Sequence, residues 1–392
     1  MKHVYVNDGW LGAILNTVND QSIDGMSLLF QRTCAGLLLV YDESLQRFVF
    51  DVSPITSKEE WNYDYGGRIE FNHNMEVEKV EMDGNTVYDK QHTDLSQPPD
   101  EITFRRIISS SMNALSWSHH LGVQHFVVAD KWLDGFVKSV RADHPLQSLL
   151  KPLALGVADS MNTGMLILLN ELPTCISSVV SGLVPADVLR LCNAHNSNIP
   201  AVSHWHKMKE RFGPLDTPLT YTLEAWWSVF SIFVDNYVSL VSATELTESG
   251  VEEWLKVVNQ TSDSSFSLNV AETIKSMYFN QILHEMSSNP QVLFDLVENK
   301  ITFTVRKDTI MPAQLIHQRV LETIEGVNGD TPRFMTFSFA PFASDTSYAT
   351  VMEDFKANVN VFSEQYKNCL LYKSDPADDL PCVTLCGRRT TK

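Results

Sequence analysis

The chain has 392 residues, of which 44% are hydrophobic and 20% charged, so it can bury a sizeable core and is not an intrinsically disordered chain. Its formal net charge of -18 argues against a nucleic-acid partner, which is bound by clustered Lys and Arg side chains. Six cysteines without a CxxC pair, in a chain of this length, exclude a disulfide framework and a zinc ribbon.

The first hundred residues predict a small β-containing part. Short apolar runs within 28–55 are separated by the polar residues Asp42, Glu43 and Ser44, a pattern that predicts a β-hairpin with its turn near Asp42–Leu45. The stretch 56–101 is polar and contains Gly and Pro pairs, which indicates a loop-rich segment with two further strands near Arg68–Phe71 and Val77–Glu81. We therefore expect residues 1–100 to form a hairpin and loop-rich part that packs on the rest of the chain.

From Glu101 onward the spacing of apolar residues becomes helical. They recur three and four residues apart in six segments, Phe104–His125, Trp132–Val140, Leu146–Asn170, Leu223–Ser242, Val251–Val258 and Val270–Met286. No linker separates these segments from the N-terminal part. The sequence thus predicts a mainly α fold with a helical body over residues 101–392, the whole chain forming a single domain.

The sequence contains no pattern that predicts a membrane-spanning segment or a nucleic-acid partner. Met1–Gly9 lacks the pattern of a signal peptide, and no apolar run of membrane-spanning length is free of charged or strongly polar residues. The densest basic stretch, His204–Arg211, is short and interrupted by Glu210, which indicates a solvated helix end or loop. We expect a soluble cytoplasmic protein with no integral membrane segment and no nucleic-acid partner.

The densest histidine cluster comprises His119, His120 and His125. His120 and His125 are five residues apart, about 140° around a regular α-helix, and would not share a face. A π-turn would bring the two side chains together, and π-bulges occur at functional sites. Neutral imidazole is a common metal ligand, but two nearby histidines do not make a site, so surface or core histidines are the alternative interpretation.

Other candidate sites have weaker patterns. His284 stands near the end of an apolar helix, about two turns before Pro290, and taken alone such a residue is more often a hydrogen-bonded core histidine. His204 and His206 could form a strand-borne metal pair, but they lie in a polar segment flanked by proline. The chain has no GxGxxG or GxxxxGK[ST] phosphate loop and no GxSxG nucleophile elbow, which argues against nucleotide-dependent chemistry and a hydrolase triad.

Five segments, taken in order, resemble the lipoxygenase family. The hairpin at 28–55 looks like the segment that precedes the family's iron-binding helix, and His144–Pro152 resembles its HP-x-x-x-LL-x-P segment. Thr222–Leu240 is similar to its W-x-x-I-x-x-W-V-x-x-Y-V-x-x-Y helix. His284–Gln291 resembles its H-A-A-x-N-F-x-Q segment, and Leu380–Leu385 resembles its terminal IPNSxxI. The resemblance spans roughly residues 25 to 386. It implies the helical catalytic domain of that family, without the amino-terminal β-barrel of its plant and animal members.

The resemblance also implies a cofactor and a reaction. The family holds a non-heme iron between three histidines, a nearby Asn, Ser or His, and a C-terminal isoleucine carboxylate. Such a centre abstracts a hydrogen from a bis-allylic carbon and directs dioxygen onto the radical. The implied activity is an oxidoreductase, a dioxygenase that acts on an apolar unsaturated substrate such as a fatty acid or polyketide, with the protein positioning substrate and excluding water.

The implied metal ligands are carried over residue by residue. His284 matches the family's third histidine, Ser288 matches the weak ligand four residues later, and Asn289 stands beside it. His120 and His125 reproduce the H-x-x-x-x-H spacing of the first two histidines. The terminal isoleucine has no match, since the sequence runs on past the similar segment.

A second register is possible for the first two histidines. Counting back from His144 puts His119 or His120 at the second position, and the first then falls on Ala114 or Leu115. In that register one imidazole ligand is missing, and too few strong ligands would remain for the family's iron site.

Two other functions are compatible with these residues. A metal-free form of the scaffold could act as a cyclase or isomerase in natural-product biosynthesis, with His119, His120 or His284 as the acid or base. A non-catalytic protein that binds an apolar ligand is the third possibility.

Overall fold

The computed structural model describes residues 22–32, 34–53, 67–154, 185–193, 202, 204–262, 267–288, 347–351, 353–355, 357, 358 and 361. Three predicted features lie wholly or partly outside these residues: positions 155–170 of the helix expected over 146–170, positions 289–291 of the segment His284–Gln291, and the segment Leu380–Leu385.

A five-stranded antiparallel sheet forms the N-terminal part, with its strands in chain order. The strands are β1 (Val40–Asp42), β2 (Arg47–Asp51), β3 (Gly67–Phe71), β4 (Val77–Met82) and β5 (Asn85–Asp89). Residues alternate between the two faces of each strand. One face therefore carries the buried residues Phe48, Phe50, Ile69, Phe71 and Val80, which face the helical body.

The opposite face of the sheet carries ion pairs between neighbouring strands. Arg68 lies 2.9 Å from Asp51 and 3.3 Å from Glu70, and Arg47 lies 2.6 Å from Glu70. The same alternation thus gives this sheet one apolar and one charged face, as antiparallel sheets with one solvated side do.

The predicted hairpin is confirmed for β1 and β2, and the two further strands are confirmed as β3 and β4. The apolar run at Leu28–Phe30, which we assigned to the hairpin, is instead part of helix α1 (Ile23–Arg32). Met26, Leu29 and Phe30 are fully buried at helical spacing, and the Phe30 ring lies 4.9 Å from that of Phe50. The assignment was wrong because a short apolar run does not distinguish a strand from one face of a helix.

Helices dominate the rest of the described chain, so the predicted fold class is confirmed. They are α2 (Glu101–Leu115), a π-helix (Ser116–Leu133), α3 (Asp134–Ser139), α4 (Leu146–Ala154), α5 (Pro185–Cys192), α6 (Trp205–Phe212), α7 (Pro218–Ser239), α8 (Ala243–Leu246), α9 (Ser249–Thr261) and α10 (Val270–Ser288). Short 3₁₀ turns lie at Cys34–Leu38 and Thr93–Leu95. No helix in this part of the chain is both long and apolar enough to cross a membrane.

The segment His204–Arg211 forms most of helix α6, whereas we expected a solvated helix end or loop. Trp205, Met208 and Phe212 are buried at the spacing of one helical face, while Lys209 and Glu210 between them are exposed. The earlier interpretation was based on the charged residues and overlooked the apolar residues spaced between them.

His144, the first residue of the HP segment, has a structural role. Its imidazole is fully buried. Nδ1 accepts a hydrogen bond from the backbone N–H of Leu146 at 3.1 Å, and Nε2 lies 3.2 Å from the carbonyl oxygen of Glu245. Because Nδ1 accepts, the ring is neutral and its proton is on Nε2, which donates to that carbonyl. His144 therefore joins the start of α4 to α8.

Two buried tyrosines tie the same segment to the long helices. Tyr237 on α7 donates to the carbonyl oxygen of Pro145 at 2.9 Å, and Tyr278 on α10 donates to that of Leu149 at 2.8 Å. Burial raises the pKa of Tyr278 well above its ordinary value, so the hydroxyl remains a donor. These bonds place α4, α7 and α10 relative to one another.

Replacing Tyr278 by Phe should lower the free energy of unfolding by about 1–2 kcal/mol, because the buried carbonyl of Leu149 loses this donor while the ring volume is kept. The measurement is denaturant unfolding of both proteins. Tyr41→Phe is the matched control, since its hydroxyl bonds Gln46 in an exposed position. Equal stability of Tyr278→Phe and the unmodified protein would contradict the anchoring role.

Candidate functional site

The π-helix is continuous with the α-helices on both sides of it. Leu115 before it and Asp134 after it both have right-handed helical backbone angles, so a single helical rod runs from Glu101 to Ser139. Its C-terminal end is fixed by two tryptophans. Trp132 Nε1 donates to Thr261 Oγ1 at 2.9 Å, and Trp254 Nε1 donates to the carbonyl oxygen of Trp132 at 2.8 Å. These bonds attach the rod to α9.

The π-helix brings His120 and His125 together. A π-helix closes its hydrogen bonds five residues apart, so side chains at that spacing share a face. The two Nε2 atoms are 3.1 Å apart and the ring centroids 4.9 Å apart, tilted by 51°. Both residues are half-buried. The π-turn that the H-x-x-x-x-H spacing called for is thus present, extended to 18 residues.

The distance between the two Nε2 atoms fits a pair of metal ligands. Two imidazole nitrogens that bind one metal at about 2.1 Å and at right angles to each other lie about 3.0 Å apart. The observed 3.1 Å is close to that value. The same distance also fits a hydrogen bond from one neutral imidazole to the other. The pair can therefore act as a chelate or as a proton-sharing couple.

The alternative register is less compatible with the geometry. Ala114 and Leu115 are fully buried apolar residues. His119 is 2% exposed and lies one position before His120, so the π-helical spacing pairs it with Gln124 rather than with His125. The structure thus brings together His120 and His125 and leaves His119 off that face.

The third predicted histidine lies on a helix that packs along the π-helix. His284 and Ser288 belong to α10, whose backbone packs against the π-helix. The side chains of His284 and Ser288 lie outside the described residues, as does Asn289. Within the residues that are described, no group of three or more His, Cys, Asp or Glu side chains could hold a metal ion. The complete ligand set therefore stays a prediction.

Gly122 lies between the two histidines and allows α5 to approach the π-helix. A Cβ atom at this position would lie 2.8 Å from the carbonyl carbon and 3.0 Å from the Cα of Cys192, the last residue of α5. Real Cβ atoms are essentially never found so close to backbone. Only glycine fits here without moving one of the two helices.

Gln124 is a buried polar residue of the π-helix that the sequence analysis did not single out. It is 4% exposed, and its Oε1 atom is buried without a hydrogen-bond partner among the described residues. Buried amide oxygens are nearly always hydrogen-bonded, so an exception of this kind calls for an explanation. No motif marks it in the sequence, because its burial is set by tertiary packing.

A second imidazole pair, His204 and His206, has a structural explanation. His204 precedes α6, and its Nδ1 accepts from the backbone N–H of His206 at 3.3 Å, so its side chain caps the helix. Its Nε2 lies 3.3 Å from Glu272 Oε2 on α10. The strand-borne metal pair that we considered is therefore wrong: the segment is a helix N-terminus, and one nitrogen of His204 is used in capping.

Glu272 is the acidic centre of this second cluster. Its hydrogen bond with His204, together with Lys275 at 2.9 Å, lowers its pKa from its ordinary value of 4.5 to about 2. Lys275 also pairs with Asp235 on α7 at 2.9 Å. Glu272 therefore joins α10 to the start of α6 by a hydrogen bond, and Lys275 joins α10 to α7 by an ion pair.

A depressed carboxyl pKa stabilises the fold above the unfolded-state pKa, and this contribution is lost as the pH falls from about 4.5 towards 2. Glu272→Gln has no carboxyl group to protonate at this position, so the variant should not show this loss of stability. In the unmodified protein the loss in the free energy of unfolding should be on the order of 1–2 kcal/mol, because solvent screens this partly exposed group. Unfolding midpoints measured between pH 2 and pH 7 should show a flatter acid limb for this variant. The exposed Glu253→Gln should leave the limb unchanged, and parallel curves for Glu272→Gln and the unmodified protein would contradict the assignment.

Three solved structures to which this chain is similar are all lipoxygenases. A manganese lipoxygenase of Gaeumannomyces graminis superposes with a TM-score of 0.63 at 12% identity, over 89% of this chain and 74% of that one. An engineered lipoxygenase gives 0.65 at 12% identity, over 98% and 70%. A calcium-dependent 11R-lipoxygenase gives 0.54 at 14% identity, over 82% and 54%. Comparison with protein-family models and with curated proteins finds no match.

At sequence identities this low, the structural similarity establishes the fold alone. The mostly helical body, the small N-terminal antiparallel sheet and the order of the elements agree with those structures over most of both chains. The chain is a divergent protein with the lipoxygenase fold.

Proposed function

We propose that this protein is a divergent lipoxygenase-like oxygenase that holds a non-heme metal ion, iron in the first instance, between His120, His125 and His284. The observation that carries the proposal is the 3.1 Å separation of the Nε2 atoms of His120 and His125 on a π-helix. Ser288 and Asn289 at the end of α10 are candidates for an additional weak ligand. Manganese is a second candidate metal, because some proteins with this fold are manganese lipoxygenases.

The fold supports this assignment in one further way. His284 lies on α10, and α10 packs along the helix that carries the other two histidines. A three-histidine set that leaves positions open is compatible with a redox metal that reacts with dioxygen. When bound, such an ion would supply the one-electron chemistry that removes a hydrogen from the substrate.

The protein's own residues would hold and shield the reacting groups. His120 and His125 must be neutral to bind a metal, each through Nε2. Val123, Val128 and Leu133 of the same helix are buried in the body of the protein. The similarity to lipoxygenases supports, as part of this proposal, an apolar unsaturated substrate, a fatty acid or a polyketide-like chain, together with dioxygen.

The experiment is metal analysis of the purified full chain, followed by oxygen uptake with linoleate. We expect near-stoichiometric iron or manganese in the unmodified protein and less than a tenth of that amount in His284→Ala. His92→Ala is the control, since this exposed histidine pairs with Asp89 at the edge of the sheet. Oxygen uptake should follow metal content across the three proteins.

The absence of bound metal after loading with either ion would overturn the proposal. Bound metal without oxygen uptake would exclude linoleate and restrict the proposal to other apolar substrates, such as polyketide-like chains, which the same assay tests.

One observation also favours an acid–base function. The contact of 3.1 Å between the Nε2 atoms of His120 and His125 fits a proton shared between two imidazoles, which a metal-free cyclase or isomerase would use. In that case metal-free protein would turn over a substrate, and added chelator would leave the rate unchanged. An oxygenase would lose its activity on chelation.

A further inference from the structure

The rod that carries the histidine pair changes from α-helix to π-helix between Leu115 and Ser116. Leu115 directly precedes the π-helix, so its carbonyl accepts the first hydrogen bond of that helix. In a π-helix the donor lies five residues later, which makes it the backbone N–H of His120. The change of register therefore ends where the histidine pair begins, and without it His120 and His125 would be about 140° apart.

Ser118 lies at this change of register, and its hydroxyl contacts the last turn of α2. Its Oγ donates to the carbonyl oxygen of Ala114 at 2.5 Å, and both residues are fully buried. The same carbonyl is the acceptor that the backbone N–H of Ser118 uses in a continuing α-helix. A serine hydroxyl on the carbonyl four residues earlier competes with the backbone for that acceptor, and contacts of this kind bend helices. The contact therefore weakens the α-helical register immediately before His120.

A serine contact of this kind does not produce a π-helix by itself, as Ser110 shows. Its hydroxyl lies 2.7 Å from the carbonyl oxygen of Arg106 and 3.1 Å from that of Ile107, within the regular helix α2. Ser118 differs in its surroundings, because the backbone of α5 contacts the rod at Gly122, four residues later. The weakened α-helical register and the contact with α5 thus act on neighbouring residues of one helical turn.

We propose that Ser118 is a positioning residue: its hydroxyl, bound to the carbonyl of Ala114, fixes the start of the π-helical register and so brings His120 and His125 together. The consequence for metal binding rests on the proposed function. The consequence for the distance between the two side chains does not, and it can be measured in the absence of any metal.

The metal-free test replaces both histidines by cysteines in the full chain. A disulfide needs Cα atoms within about 7 Å of each other. Residues five apart on an α-helix are about 7.5 Å apart along the axis alone, so an α-helical register does not allow the bond. The π-helical register brings the ends of these two side chains to 3.1 Å. The variant His120→Cys/His125→Cys should therefore form an internal disulfide on mild oxidation, identified by peptide mass spectrometry.

Three further substitutions are each added to this double variant. Ser118→Ala removes the hydroxyl and should slow disulfide formation by about 10-fold, the change in population that one net hydrogen bond can produce. Ser118→Thr keeps the hydroxyl and should retain the rate. Ser110→Ala is the matched control, since it removes a similar buried contact from the same rod and should also retain the rate. The two alanine variants should lose similar amounts of Tm, so stability alone would not separate their rates.

In the chain that keeps both histidines, the same alanine variants test the consequence for metal binding. The probe is Mn²⁺, with its affinity measured by competition with a chelator. Ser118→Ala should lower the affinity by about 10-fold, the lower end of the effect of supporting groups on metal sites. Ser110→Ala should leave it unchanged.

The outcomes separate this inference from the proposed function. Equal rates of disulfide formation with and without Ser118→Ala would overturn the inference and leave the proposed function intact. Equal slowing by Ser110→Ala, or failure of Ser118→Ala to fold, would assign the hydroxyl to general stability and overturn the inference as well. If the unmodified protein binds neither Mn²⁺ nor Fe²⁺, the proposed function fails, and the disulfide rates still decide the inference.

Discussion

Replacing Gly122 by Ala should lower the free energy of unfolding by about 3 kcal/mol, at the upper end of what overpacking by one carbon costs. The added Cβ would lie 2.8 Å from the carbonyl carbon of Cys192, and backbone cannot rotate out of the way as a side chain can. Either α5 must move away from the π-helix or the π-helix must shift between its two histidines. The measurement is chemical unfolding followed by circular dichroism.

Gly135→Ala is the matched control on the same helical rod. A Cβ at that position would lie 3.7 Å from a side-chain carbon of Val257 and 3.9 Å from one of Trp254, both ordinary contacts. Because alanine is the better helix former, this variant should be unchanged or more stable by about 0.5–1 kcal/mol. Equal behaviour of the two alanine variants would show that α5 does not pack on the π-helix as closely as the structure has it.

The Gly122 variant also tests whether the packing of α5 and the histidine pair are coupled. The pair depends on π-helical spacing, and a shift of the backbone at Gly122 would change the register between His120 and His125. Metal affinity should therefore fall together with stability in Gly122→Ala and remain unchanged in Gly135→Ala. Loss of stability with full metal affinity would place the strain in α5 alone.

The fold class and the helical body could be predicted from the sequence because the signals are local. Apolar spacing of three and four residues indicates helices wherever one face is buried, as in α7, α9 and α10. The start of α7 also has a local signal, since Thr217 and Thr220 form a capping box before and within its first turn. Helix α1 was missed because its apolar run was assigned as a strand.

The site could be predicted only in part. The H-x-x-x-x-H spacing required a π-turn, but periodicity cannot distinguish such a turn from an α-helix with two histidines on different faces. The choice between His120 with His125 and the register counted from His144 was open for that reason. His144, from which that register was counted, has a structural role: its imidazole accepts a hydrogen bond from the backbone N–H of Leu146 in α4 and lies 3.2 Å from the carbonyl oxygen of Glu245 in α8.

Gln124 and Gly122 lay outside sequence reasoning for a different reason. Neither residue belongs to a motif, and what distinguishes them is tertiary: Gly122 contacts the end of α5, and the amide oxygen of Gln124 is buried without a hydrogen-bond partner within the described part of the chain. The close contact at Gly122 is made by α5, a helix 60 or more residues later in the sequence. Composition and spacing do not contain that information.

The last prediction concerns the energetic coupling of the two histidines. His120→Ala and His125→Ala should each weaken binding of Fe²⁺ or Mn²⁺ by about 100-fold or more, since even supporting groups outside the first ligands are worth 10- to 100-fold. The double variant should be little weaker than either single variant, because one alanine already breaks the chelate. The coupling free energy from the cycle should then be about 2.7 kcal/mol or more.

The cycle distinguishes the two functions that the 3.1 Å contact allows. A proton-sharing couple predicts that the variants lose turnover without any change in metal binding, whereas a chelate predicts loss of both. Thermal stability measured with and without added metal gives an independent readout, because a ligand at 100 times its Kd stabilises the folded state by about 2.7 kcal/mol. The metal-induced increase in Tm should appear in the unmodified protein and in His92→Ala. It should be largely lost in His120→Ala and His125→Ala, since a site weakened 100-fold is stabilised by only about 0.4 kcal/mol at the same metal concentration.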